Sequence, residues 1–202
     1  MAIGKLHRRV VLAFLSLTVS AISMAAASLS KEDGDRLQRK IDEIVGNANT
    51  SPVPAKKTPI SETEANSYLA FNLKERIPQG LSQPQVTMLG SSRLAGRVVV
   101  DIDEFKRKRK SRGLVDPLNY VSGKVPITAR GALRTHNGEG TFALASAEIY
   151  GVPLPKPILQ ELLAYFSRTE KNPQGFDMDK PFNLPANIRE VVINTGEAIV
   201  IQ

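Results

Sequence analysis

Apolar and polar side chains alternate most regularly between Val125 and Gly151, on both sides of a glycine-rich tip at His136-Asn137-Gly138-Glu139-Gly140. A period of two predicts strands, and Asn-Gly at the tip supplies positive φ at little cost, so an antiparallel hairpin is expected. On its first arm Val125, Ile127, Ala129 and Leu133 share one face, while Thr128, Arg130 and Arg134 share the other. On the second arm Phe142 and Leu144 share a face. Through Ala145-Ser146-Ala147 the alternation blurs, which marks either a bulge or a strand covered on both sides. Small residues at Ala129, Gly131, Ala132, Ala143, Ala145 and Ala147 suit a strongly bent sheet, or one closely approached by a ligand or a helix.

Helical spacing appears in three other places. Ser30 to Gly46 carries Leu37, Ile41, Ile44 and Val45 behind a capping serine, with opposite charges four apart at Glu32/Arg36 and Asp35/Arg39. This stripe (residues 28–46) is narrow and needs a partner, either the main domain or a second copy of itself. Residues 47–59 read as a Pro-rich linker. Ser61 and Glu64 then match a capping box, and a helix toward Arg76 places Ala65, Tyr68, Leu69, Leu73 and Ile77 on one face. Pro157 suits the first turn of another helix, whose apolar side is Ile158, Leu159, Leu162, Leu163 and Phe166. Strands are expected at Val86–Leu89 and Leu94–Ile102, and a closing hairpin at Ile188–Ile193 and Ala198–Gln202. Its last strand is apolar on both faces and so is expected to be covered. The predicted class is α+β: a strongly curved antiparallel sheet built from hairpins, on two or three short helices, in one domain over residues 60–202.

Composition sharpens this picture mainly by exclusion. The chain contains no cysteine, which removes disulfides, thiolate metal sites and cysteine nucleophiles. Its two histidines are His7 and His136, which leaves little for a histidine metal site or a Ser-His-Asp triad. Residues 1–27 have the form of an export signal: Lys5, Arg8 and Arg9 precede an apolar run that ends in Ala25-Ala26-Ala27, with cleavage expected after Ala27. An uncleaved membrane anchor is the alternative, and either places the protein in a periplasm or at a cell surface. The formal charge is +7, and losing that segment's three basic residues leaves +4. Six basic residues fall in one run, Lys106, Arg107, Lys108, Arg109, Lys110 and Arg112. The basicity is therefore local, and the run is a candidate contact for anionic head groups or an anionic surface.

Two acidic pairs are candidates for chemistry. Asp101 and Asp103, two apart on an expected strand, could hold a metal as D-x-D, but the solvent-facing end of a strand is the simpler reading. Glu148 and Glu190 could act as acid and base, yet no phosphate cradle or metal spacing accompanies them. No metal, cofactor or catalytic residue is expected. Nucleic acid is not expected as a partner, because aromatic residues do not interleave with the basic run.

The order of elements carries one resemblance. A helix opening ISETEANSYL, a valine-rich hairpin, YVSGKVPITARGAL, GTFALASAEIYGVPLPKPIL, a short helix and a closing PFNLPANIREVVINTGEAIVIQ resemble the bacterial exported LmeA-like phospholipid-binding family, within or beside the tubular lipid-binding superfamily. The likeness covers about residues 59–202. It implies a curved sheet about a helix, an aliphatic groove between them for acyl chains, and binding or transfer in place of bond-breaking. The candidate groove residues are then Leu69, Leu73, Met88, Val98, Val100, Ile127, Leu133, Phe142, Leu144, Leu159, Leu163 and Phe166. The alternative is a non-catalytic interaction module of the cell envelope that meets a protein partner or an anionic surface through the basic loop.

Overall fold

The structure is a computed structural model that describes residues 28–52, 54–108 and 117–202. In chain order the elements are α1 (Lys31–Ala48), β1 (Lys57–Ser61), α2 (Glu62–Ser67), β2 (Leu81–Gly90), β3 (Arg93–Asp101), α3 (Ile102–Lys108), β4 (Lys124–His136), β5 (Glu139–Ile149), β6 (Val152–Pro153), α4 (Lys156–Phe166), β7 (Phe182–Asn183), β8 (Glu190–Asn194) and β9 (Glu197–Ile201). The fold is α+β. Strands β2-β3-β4-β5-β6, with β7 added on β5, make a six-stranded antiparallel sheet, and β1-β9-β8 make a three-stranded one. The expected export signal, residues 1–27, lies outside the described residues. No helix among the described residues is long and apolar enough to cross a membrane.

The central hairpin forms where alternation predicted it. Asn137 and Gly138, with φ of 50° and 86°, turn β4 into β5. Along β5 the partner of Arg130 is Ser146 and that of Gly131 is Leu144, so Ala145 is left over as a bulge. Leu144 and Phe142 therefore lie on the same face as Gly131 and Leu133, and beyond the bulge Ala147 and Ile149 lie with Ala129 and Ile127. One extra residue thus keeps apolar side chains of both parities on a single inner face.

That face carries two packed clusters. The first joins Val100, Val125, Ile127, Ala147 and Ile149 of the sheet to Ile102 and Phe105 of α3, Leu118, Leu154, and Ile158 and Leu162 of α4. The second joins Met88 of β2 to Ile193 and Ala198 of the small sheet, with Ala65, Leu133 and Val191 packed against it. The free edge of the large sheet is closed by side chains of α2. The Asn66 amide donates to Val86 O and accepts from Val86 N, both at 2.8 Å, and the Glu62 carboxylate accepts from Met88 N at 2.7 Å. These bonds occupy backbone groups that would otherwise template another strand.

α1 docks on this domain, contacting α2, the turn after it and β1. Gly34 is the point of closest approach, since a Cβ there would stand 2.3 Å from Asn72 Oδ1 and 3.1 Å from Ser67 O. Two carboxylates hold the contact. Asp35 accepts from Lys31 and Asn72, and these bonds lower its pKa. Glu64, 3% exposed, accepts from Lys40 Nζ at 2.8 Å and from the Ser61 amide at 2.9 Å. Burial raises the Glu64 pKa, but the bonds from Lys40 and Ser61 outweigh it and the carboxyl is held below its usual range. A lowered carboxyl pKa stabilises the fold above its unfolded value, about 4.3 for glutamate, and that stability is lost as pH falls through the folded value. Amide-exchange protection of α1 is therefore expected to fall as pH drops below about 4, and Glu64→Gln is expected to flatten the dependence. Equal protection of α1 at pH 6 and pH 3 in the parent protein would rule this out.

The segment read as a linker is shorter than expected. Lys57, Thr58 and Pro59 pair with Ile201, Val200 and Ile199, so its last residues form the outer strand of the small sheet. The last strand, apolar on both faces, is the middle one of three, with Ala198 and Val200 buried.

Candidate functional site

The register fixes where the first cluster gives way to the second on the inner face. Val86, Gly96, Ala129 and Ala147 lie in line across β2, β3, β4 and β5, and Met88, Leu94, Gly131 and Leu144 form the next line. Small residues therefore cluster at Gly96, Ala129, Gly131 and Ala147, with Val86, Met88, Leu94 and Leu144 as their larger neighbours in the same two lines. Gly131 is roofed by Phe142, whose Cζ would stand 2.3 Å from a Cβ built there. Gly96 is not: a Cβ there would meet nothing nearer than Gln85 O of the adjacent strand, at 4.0 Å. The inner face is therefore left open at one point over β3.

The twelve candidate groove residues divide accordingly. Val100 and Ile127 belong to the first cluster and Met88 to the second, all under 9% exposed, so these three serve closed packing and not a surface a ligand reaches. Val98, Leu159 and Phe166 are half-buried against the first cluster, and Leu133 against the second. Leu69, Leu73, Phe142, Leu144 and Leu163 are half-buried and belong to neither. Phe71 is 47% exposed on the turn that carries Leu69. That turn is a π-helical one, closed by Leu73 N–H donating to Tyr68 O at 3.0 Å, a variation with no local signature that the helical spacing could reveal.

An apolar hollow of ≈ 530 Å³ was missed by sequence reasoning. It opens at the far end of the first cluster among Leu118, Val125, Ile149 and Leu154, and its rim is Tyr120, Tyr150 and Val152, which are 84%, 70% and 66% exposed. These residues sit in what reads locally as a loop and a connector, so only the folded chain brings them together. The signal available was weak: a tyrosine beside a glycine at Tyr150-Gly151, where Tyr150 takes φ of 51°.

The basic run begins beside this hollow. Lys106 is not free to meet a surface, because its Nζ donates to Leu118 O at 3.2 Å and Val121 O at 2.8 Å and so ties α3 to the Tyr120 turn. Arg107 is exposed, and Lys108 ends the helix. Arg109, Lys110 and Arg112 lie outside the described residues.

The carboxylates of Asp101 and Asp103 are both taken up by backbone amides, and the expected strand ends sooner. Asp101 closes β3 and accepts from Glu104 N at 3.0 Å as a cap for α3, while Asp103 accepts from Gly123 N at 2.8 Å. Asp101-x-x-Glu104 is itself a helix-start pattern, and it was the signal for this break. Among the described residues no group of three His, Asp or Glu could hold a metal ion. Glu148 lies opposite Thr128 on the outer face of the large sheet and Glu190 on β8 of the small one, so the two carboxylates occupy separate sheets.

No family model, curated protein or solved structure matches this chain.

Proposed function

We propose that this protein binds a phospholipid or another acyl-chain lipid, with the hydrocarbon lying in a trough on the inner face and the head group toward the basic end of the molecule. One observation carries the reading: where the first cluster gives way to the second on a single apolar sheet face, Gly96, Ala129 and Gly131 put small residues beside half-buried Leu94 and Leu144, and a Cβ at Gly96 would meet open space. A closed core would fill such a space with large side chains, since interiors pack to crystal density. An acyl chain supplies the missing contacts and gains about 0.8 kcal/mol per methylene removed from water. At the other end Tyr120, Tyr150 and Val152 form an exposed amphipathic rim beside α3. This is the arrangement expected of a surface that rests in a bilayer interface while cations meet its head groups. Export to a cell envelope belongs to the same proposal.

Purified protein is expected to carry lipid detectable by mass spectrometry of an organic extract, and to take up a fluorescent phospholipid. No extracted lipid together with no uptake would overturn the reading in favour of an envelope interaction module. The charge contribution separates from the apolar one. Neutralising Arg107, Lys108, Arg109, Lys110 and Arg112 is expected to weaken binding to anionic vesicles and its salt sensitivity while leaving uptake of a neutral lipid unchanged. Lys106→Met is expected instead to lower thermal stability, because it removes the side-chain donor of Val121 O and one of the two donors of Leu118 O in the Tyr120 turn.

A further inference from the structure

The outer face of the large sheet holds a feature that the lipid reading does not use. Arg97 is paired with Thr128, Ala95 with Arg130, and Arg93 with Ala132. Arg130 therefore stands across from Ala95, diagonal to both Arg93 and Arg97, and all three side chains leave the sheet on the solvent side. Such diagonal neighbours are roughly 7–8 Å apart, within reach of one another for side chains of this length. They surround a depression of ≈ 440 Å³ with Ala95 as its floor and Gln85, Thr87 and Thr128 on its walls.

Several cations elsewhere are matched singly, Arg36 to Asp33, Lys40 to Glu64, Lys56 to Glu43 and Lys156 to Asp179, and what sets this group apart is that its cations share one hollow. Among the described residues no carboxylate lies within 4 Å of Arg93, Arg97 or Arg130, and Arg134, beyond Ala132 on the same face of β4, also has none. Three guanidinium groups about one hollow repel each other; the other residues lining it are uncharged, and Glu148, opposite Thr128 on the same face, forms no ion pair with them.

We propose that this depression is an anion site for a small molecule carrying a diphosphate group. A carboxylate presents two oxygens in one plane and satisfies one guanidinium fork. The tetrahedral oxygens of a diphosphate point in several directions and carry enough negative charge to answer three. The hydroxyls of Thr87 and Thr128 add neutral donors at the wall. The hollow favours a discrete ligand over a flat bilayer, which would touch the rim and not the floor. The site lies on the opposite face from the trough and stands or falls separately from it.

Calorimetric titration of the protein with inorganic pyrophosphate at low ionic strength tests this. Saturable binding is expected, weakened at least tenfold by Arg130→Gln and by Arg97→Gln, and only partly retained in Arg130→Lys, which keeps the charge but loses the fork. Arg107→Gln on α3 is expected to leave it unchanged, and Arg130→Gln to leave binding to vesicles of anionic phospholipid unchanged. Thermal melts of the exposed-face variants check folding, with Arg97→Gln standing in should Arg130→Gln fail. The proposal is overturned if pyrophosphate does not bind, or if Arg107→Gln weakens it as much as Arg130→Gln does. It is equally overturned if Arg130→Gln reduces vesicle binding while the parent shows no affinity for pyrophosphate.

Discussion

Gly96→Val is expected to lower phospholipid uptake by tenfold or more while the protein stays folded and becomes slightly more stable. Gly96 lies in the interior of β3, where glycine costs roughly 0.5–1 kcal/mol relative to residues with a side chain, and a β-branched residue suits the pleated backbone. The space above it is unclaimed, with the nearest heavy atom 4.0 Å from a Cβ. The isopropyl group would occupy volume otherwise taken by about two methylenes of the ligand. At about 0.8 kcal/mol each, their displacement exceeds the 1.4 kcal/mol or so that corresponds to tenfold. Gly131→Val is the contrasting variant, because its Cβ would stand 2.3 Å from Phe142 Cζ and 2.6 Å from Ala143 O. That change is expected to lower the melting temperature as well as uptake. Uptake equal to the parent's in a well-folded Gly96→Val protein would remove the trough from the account altogether.

Such a contrast could not have been written from the sequence, although much of the fold could. Hairpins were legible because their signals are local: a period of two on each arm, and Asn137-Gly138 or Thr195-Gly196 at the tip. The bulge at Ala145 was visible as one lost beat in the alternation. Helix starts at Ser30, Ser61 and Pro157 were equally local, since each is set by the capping chemistry of a few residues. What escaped depends on partners far away in the chain. Lys57–Pro59 become a strand only because β9 offers them backbone groups, and nothing in a proline-containing stretch announces that. Likewise the small residues Gly96, Ala129 and Gly131 could mean a bend, a helix or a ligand, and only the register shows that they lie together on one face. Candidate groove residues divided for the same reason. Composition makes Val100 and Leu144 equivalent, whereas the packing of α3 and α4 at one end of the sheet buries the first and leaves the second half-exposed.

Phe105→Ala is expected to cost about 3–5 kcal/mol in urea unfolding, the usual range for a fully buried phenylalanine. Phe105 is 1% exposed and meets two rings of α4, Tyr165 edge-on with centroids 5.2 Å apart and Phe166 stacked at 6.2 Å. The more informative expectation concerns where that loss appears. The first and second clusters share a sheet but no buried residue, so the cavity is felt directly by α3 and α4 and only through the sheet by β8, β9 and α1. Amide exchange in α3 and α4 is therefore expected to accelerate well before that of β8 and β9, in the manner of a locally opening unit. Binding to anionic vesicles should weaken in the same variant although no charge is lost, because Ile102 and Phe105 are the buried anchors of the helix that presents Arg107. A uniform rise in exchange across both sheets would mean that the two clusters behave as one continuous core. That outcome would leave no open hydrocarbon-sized interval between them, and with it would go the physical basis for a lipid guest.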